Sequence, residues 1–278
     1  MKRFAITLLF GSLLLAACNA DDTTSDTVSA SQSSAVSIAS MPVLTENLPT
    51  YNIRFANEPY PPFNILMPNN TFEGLETDIL QAIAKKQGFK IYTQPYVWDV
   101  IFKDFKQSNS HMVGGGLASE DFDLSEIALS KAYMRSPDCV VATHAKKLQD
   151  WHKRKIITVS SDELDDSLIE DYQVKRRNIH NVRTQYQALG GLLNKQADVT
   201  ISDCHVLKYH IYGTLKNQSF VIKELSIEPH DTSYDLVFGV HKDEKELLKK
   251  INAGIEQLKQ SGEIDKIIKK WTTEQTNP

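Results

Sequence analysis

The groups of this chain best suited to hold a small polar molecule are aromatic rings and carboxylates. Tyr60 and Phe63 flank two adjacent prolines in "NEPYPPFNI" (57–65), directly after a short apolar run. A core strand excludes such a pairing, because each proline lacks a ladder donor and fixes its own φ. At a strand end the prolines instead hold two rings stiffly, where they can cover a ligand's apolar part at small entropic cost; the alternative is that Phe63 belongs to the core and only Tyr60 is exposed. Asp203 closes "DVTISD" (198–203), and Gly114-Gly115-Gly116 ends another apolar run, ahead of Leu117 and Ser119. A carboxylate accepts well from an ammonium, and glycines at a strand end allow close backbone approach. Asp203 is equally suited to N-cap the following "CHVLKYHIYG", and Trp98 reads as a cleft aromatic or a core residue; both alternatives stay open. No "GxSxG", "HExxH" or P-loop spacing occurs. The eight histidines show no metal-ligand spacing, since His205 and His210 lie five apart, off one helical face. Neither a metal nor a cofactor is expected.

Positioning these groups requires alternating strands and helices, and the chain has that pattern. "YNIRFA" (51–56) reads as a strand, and "GLETDILQAIAKKQG" (74–88) as a helix with Leu75, Ile79, Ile83 and Ala84 on one face and Gly88 at its C-terminal cap. "KIYTQ", "HMVGGG", "KIITVS", "DVTIS", "SFVIKEL" and "DLVFGV" read as strands. "DVIFKDFKQ", "TQYQALGGLLN", "CHVLKYHIYG", "DEKELLKKINAGIEQLKQSG" and "EIDKIIKKW" read as helices. Such alternation argues for an α/β fold with mostly parallel sheets. Ten or so strands in more than 220 ordered residues suggest two lobes. In open α/β sheets the ligand crevice lies at the carboxyl ends of the strands, where "NEPYPPF", "GGGLAS" and "SDCH" all fall.

The ends of the chain indicate a compartment. Lys2 and Arg3 precede an apolar run, Phe4 to Ala17, which closes with "LAAC" (15–18). Residues 1–17 thus read as a secretory signal peptide, and the "LAAC" resembles the lipobox of bacterial lipoproteins, which implies a lipidated Cys18. Residues 18–49 are rich in Ser, Thr, Asp and Ala and nearly lack large apolar groups, so they read as a flexible tether. Removing residues 1–17 takes Lys2 and Arg3 with it and moves the net charge from −4 to −6. Basic residues are scattered, so no nucleic-acid partner is expected. Cys139 and Cys204 remain, either bridged or as two thiols.

Several segments together resemble the bacterial extracellular solute-binding proteins of family 3, the periplasmic components of polar amino-acid ABC transporters. The resemblance runs from Tyr51 to Trp271: Tyr60-Pro61-Pro62-Phe63, "GLETDI" (74–79), Trp98-Asp99, Gly114-Gly115-Gly116, "LSKAY" (129–133), "DVTISD" (198–203) and the tail from Leu258 to Trp271. It implies a two-lobe type II periplasmic binding fold with two hinge crossings, near 133–137 and 231–235. Lobe one would be 50–135 plus 234–278, and lobe two 138–231. It further implies a monomeric binding protein without enzymatic activity. Such a protein would capture a small polar solute in the inter-lobe cleft, deliver it to a membrane permease, and stand on the periplasmic side of the cell or outer membrane through its lipid anchor. The implied ligand-binding residues are Tyr60, Phe63, Trp98, Gly116, Leu117, Ser119 and Asp203, the last matching the family's ammonium-binding aspartate.

The chain also departs from the family. Where members that bind α-amino acids read "T-x-x-R", this one has Ser119 and Phe122, within the acidic "ASEDFD", and the carboxylate-clamping arginine is missing. The lobe-two "G-T" anion element becomes Ser160-Ser161-Asp162. Arg135, in the first crossing, is a substitute clamp or a hinge-surface arginine. The acidic segment favours a cationic ligand. Two other functions compete: a periplasmic dehydratase-like enzyme using Glu58 as its acid or base, and a degenerate sensory or adaptor lipoprotein.

Overall fold

Apolar alternation and helix-stop signals set the order of elements. In the computed structural model, residues 47–273 are described, apart from 104, 106, 107, 123 and 227–229. The expected signal peptide, Cys18 and most of the expected tether lie outside the described residues. Strand β1 (Thr50–Ala56) buries Ile53 and Phe55 completely and leads into the short hairpin β2 (Ile65–Leu66) and β3 (Phe72–Glu73). Helix α1 (Leu75–Gln87) packs Leu75, Ile79 and Ile83 inward and stops at Gly88, whose φ of 68° only glycine adopts freely. The chain continues through β4 (Lys90–Tyr96), β5 (Met112–Val113), β6 (Ile127–Leu129) and β7 (Met134–Arg135).

Next come β8 (Asp138–Ala142), α2 (Ala145–Leu148), β9 (Ile156–Val159), α3 (Asp162–Glu170), β10 (Ile179–Val182), α4 (Gln185–Leu193), β11 (Val199–Asp203), α5 (Cys204–Tyr212) and β12 (Val221–Glu224). The last elements are β13 (Asp235–Leu236), β14 (Gly239–His241), α6 (Lys245–Gln260) and α7 (Glu263–Thr272).

Two five-stranded sheets result, in the orders β4-β1-β5-β14-β6 and β10-β9-β11-β8-β12. In each, the first two pairings along the order are parallel and the last two antiparallel, because one strand, β14 or β8, runs against the other four. The sheets are therefore mixed, which corrects the expectation of mostly parallel ones. The reason is topological: β8 and β14 each enter their sheet directly after a crossing and run against their neighbours. The chain passes between sheets twice, through β7 and β13, which pair with each other (Asp235 opposite Arg135). Cores lie on both faces of the sheets, which gives the two-lobe type II α/β fold with two crossings.

Among the described residues of the helix expected over 99–107, only a 3₁₀ turn, Trp98–Val100, forms. The buried Arg54 of β1 explains the difference. Its Nη1 donates to the carbonyls of Ile101 and Lys103, each at 2.8 Å, and its Nε to Ser110 Oγ at 2.8 Å. Its guanidinium lies 4.2 Å from the Tyr96 ring centroid and 4.8 Å from that of Phe105. Carbonyls that a helix would use internally instead solvate a buried cation. In the second sheet Cys139 of β8 and Cys204 of α5 form a disulfide, with Cα atoms 4.8 Å apart. This closes the choice the cysteine count left open. Among the described residues, the one Cys/His/Asp/Glu grouping with metal-like spacing is Cys139, Cys204 and Glu224. Its two sulfurs are consumed by that bond. No helix among the described residues is long and apolar enough to cross a membrane.

Candidate functional site

The double-proline segment does two jobs. The Pro62 carbonyl accepts the Leu75 N–H at 2.7 Å, and the Phe63 carbonyl accepts that of Glu76 at 3.3 Å. The segment thus satisfies the first amides of α1, which has no side-chain cap. Gly74 makes this closeness feasible: its φ is 138°, and a Cβ there would stand 2.3 Å from the Phe63 oxygen. Above this junction Tyr60 stacks on Phe63, with centroids 5.5 Å apart and planes at 22°.

A cavity of about 530 Å³ opens over Tyr60, lined also by Glu58, Asn64, Trp98, Gly115, Gly116, Leu117 and Asp121. Of the predicted ligand residues, Tyr60, Trp98, Gly116 and Leu117 therefore come together. Trp98 is 45% exposed and Leu117 only 3%. Phe63 does not join them: it is fully buried in the core beneath Tyr60, because the segment that aims one ring into the cleft turns the other into the sheet. Ser119 begins a 3₁₀ turn (Ser119–Asp121) outside the cavity lining. The Gly116 N–H, expected to face a ligand, is given to Glu76 Oε1 at 3.0 Å. Gly116 itself has φ 76°, and a Cβ there would lie 3.0 Å from the Phe63 ring and 3.1 Å from that of Tyr60.

Glu76, not singled out from the sequence, lies behind this cavity's glycine floor. It is fully buried, and besides the Gly116 amide it accepts the Tyr133 hydroxyl. One carboxylate thereby joins the glycine floor to the residue that begins the first crossing. Burial pushes its carboxyl up to about 7, against the opposing pull of Tyr133, Gly116 and Gly115 donors. The available signal was its register: Glu76 precedes Ile79 by three and Leu80 by four, which places it on the apolar face of α1.

In lobe two, Asp203 is the N-cap of α5. Its Oδ1 accepts from the amides of His205 (2.7 Å) and Val206 (3.1 Å), and its Oδ2 accepts from the Ser136 hydroxyl, which also lies 2.6 Å from His205 Nδ1. Asp138 stands directly opposite Asp203 in the β8–β11 pair. Burial first, then the Asp203 charge, push the Asp138 carboxyl up to about 6. Burial first, then the charges of Asp203, Asp138 and Asp121, hold the Tyr60 hydroxyl well above the ordinary phenol value. Arg135 is ion-paired with Asp235 at 3.0 Å and donates to the Asp231 carbonyl across the paired crossings. Ser161 of the altered anion element spends its hydroxyl on the Leu164 amide as the N-cap of α3.

A second cavity, of about 390 Å³, adjoins the first at Pro59 and Tyr60 and is walled on the other side by Arg183, Gln185, Val206 and His210. Arg183 is exposed at the end of β10 and was not singled out from the sequence. The arrangement as a whole is a largely apolar cleft between two lobes, with an aromatic floor, two acids at its lobe-one side, Arg183 at its lobe-two side, and a buried carboxylate joining the floor to the first crossing.

The model of the family described as bacterial extracellular solute-binding proteins, family 3, matches residues 53–274. Sequence relatives include a probable histidine-binding protein of Neisseria gonorrhoeae, 25% identical over 226 residues, which span 78% of this chain and 81% of the relative. Another is an arginine-binding periplasmic protein of Mannheimia haemolytica, 25% identical over 217 residues, 76% of this chain and 87% of the relative. Among solved structures, an ancestral cationic amino acid solute-binding protein matches with a TM-score of 0.67 at 24% identity, over 81% of this chain and 96% of that one. The shared fold and the length of the family match lead to one conclusion: the chain belongs to the bacterial extracellular solute-binding proteins, family 3.

Proposed function

We propose that this protein captures a small cationic solute of the amino-acid class in its inter-lobe cleft and hands it to a membrane permease without chemical turnover. One observation carries the reading: among the described residues lining the lobe-one cavity, the formal charges are two acids, Glu58 and Asp121, with no base. Asp138 and Asp203 add negative charge within reach of the Tyr60 hydroxyl. A low-dielectric cleft lined by one sign of charge concentrates ions of the other sign. The relatives named for histidine and arginine agree with a basic ligand. Tyr60 and Trp98 would cover the ligand's aliphatic part, and Asp203 and Asp138 would draw its ammonium. Lipidation at Cys18 would hold the protein beside its permease.

Calorimetric titration of the full-length chain in detergent tests the reading, with lysine, arginine, histidine and glutamate as ligands. The basic amino acids are expected to bind and glutamate not. Affinity for lysine should fall as pH drops from 7 to 5, because Asp138, at about 6, takes up a proton and loses the charge that attracts the ligand. Preferential binding of glutamate, or consumption of any of these ligands, would sink the proposal. Cys18→Ala should release the protein from the membrane fraction if the anchor is as read.

A further inference from the structure

The family's carboxylate clamp is missing from lobe one, and the obvious substitutes are engaged elsewhere. Arg135 is held by Asp235 and the Asp231 carbonyl, while Ser161 and Thr184 spend their hydroxyls capping α3 and α4. One cation at the cleft differs from these. Arg183 lines the cavity that crosses from Pro59, Tyr60 and Pro61 to lobe two. Its backbone is fixed, since its N–H donates to Gln187 Oε1 at 3.0 Å at the close of β10. Its guanidinium is exposed and has no hydrogen-bond or ion-pair partner among the described residues. The two adjoining cavities therefore have opposite polarity. On the lobe-one side of Tyr60 stand Glu58 and Asp121; on the lobe-two side stands Arg183.

We propose that Arg183 is the carboxylate anchor of this cleft, meeting from lobe two the acid group of a ligand that lies across Tyr60. The inference rests on the functional reading above. A basic amino acid laid across Tyr60 has its side-chain cation over the acids of lobe one and its carboxylate toward Arg183. A guanidinium meets a carboxylate through two parallel N–H···O bonds. The anchor stands on lobe two and Tyr60 on lobe one, so a ligand held by both bridges the lobes. An amine that lacks the carboxylate gains nothing from Arg183.

The experiment compares lysine with cadaverine, its decarboxylated counterpart, by calorimetry on the full-length chain in detergent. Wild type, Arg183→Gln and Arg183→Lys are titrated with both. The expected result is a lysine affinity lower by on the order of 10- to 100-fold in Arg183→Gln, with cadaverine affinity unchanged and lysine partly rescued in Arg183→Lys. Unchanged melting temperatures would show that an exposed side chain was removed without unfolding. Equal weakening of both ligands, or no effect on lysine, overturns the anchor while leaving the functional reading intact. Failure of wild type to bind lysine, arginine, histidine or cadaverine overturns both.

Discussion

The two sheets repeat one strand plan but stabilise their cleft ends by different means. In lobe two the helices that follow the parallel strands are each capped by a side chain of their own, Ser161 for α3, Thr184 for α4 and Asp203 for α5, and a disulfide ties β8 to α5. In lobe one, α1, α6 and α7 have no side-chain cap. There the loops are organised by two buried charged groups, Arg54 under the 101–110 segment and Glu76 under the glycine floor. Local caps and a covalent bond make the second lobe's loops largely self-sufficient. The first lobe's loops depend on ionisable groups reaching across the fold, which links its floor to the hinge and to pH.

Three measurements probe that contrast. The largest effect is expected from Cys139→Ala with Cys204→Ala. Opening a loop that spans a sequence separation of 65 residues should cost about 4 kcal/mol of unfolding free energy. Urea unfolding read at Trp151, in a lobe-two core, would report it, and a loss below about 1 kcal/mol would remove the disulfide from the account. Next comes Arg54→Met, which leaves the Ile101 and Lys103 carbonyls and the Ser110 hydroxyl without their donor. A loss of about 3 kcal/mol is expected, together with exposure of the 101–110 segment to proteolysis. Retention of an intact, protected segment would contradict the role given to the guanidinium.

The third is a pH effect, which reaches the size of the second only at the alkaline end of its range. Glu76 has a folded-state value near 7, above its ordinary value of 4.5, so the folded state holds a proton that the unfolded state has released. Stability from this group is therefore greatest at acid pH and falls as pH rises from about 5 through 7, by up to about 3 kcal/mol. Glu76→Gln keeps an acceptor for Tyr133 and Gly116 but cannot ionise. Melting temperatures between pH 5 and 8 should slope downward in wild type relative to the variant, and parallel profiles would refute the assignment.

How much of this was legible beforehand follows from which interactions are local. The α1 face, its Gly88 stop and the strand-end position of "YPPF" are periodicity and dihedral preferences, written within a few residues of each other. The α5 cap at Asp203 could be proposed for the same reason. The inward turn of Phe63 could be named as an alternative but not chosen, because a motif specifies backbone better than side-chain direction. The 99–107 segment has helical spacing, yet Arg54, over forty residues earlier, takes its carbonyls. Glu76 stood in plain sight on an apolar face, but its partners Tyr133 and Gly116 are distant in sequence.

By itself, the sequence determined the α/β class, the two-lobe plan through its ordered motifs, and the absence of the family's arginine, since each is a property of residue type and order. Only the tertiary structure decided that Cys139 and Cys204 are bonded, that Arg135 is occupied and that Arg183 faces the cleft. Those outcomes depend on which distant backbones are brought together. Hydrogen bonds and ion pairs act over a few ångströms, so their partners are chosen by the fold and not by spacing along the chain.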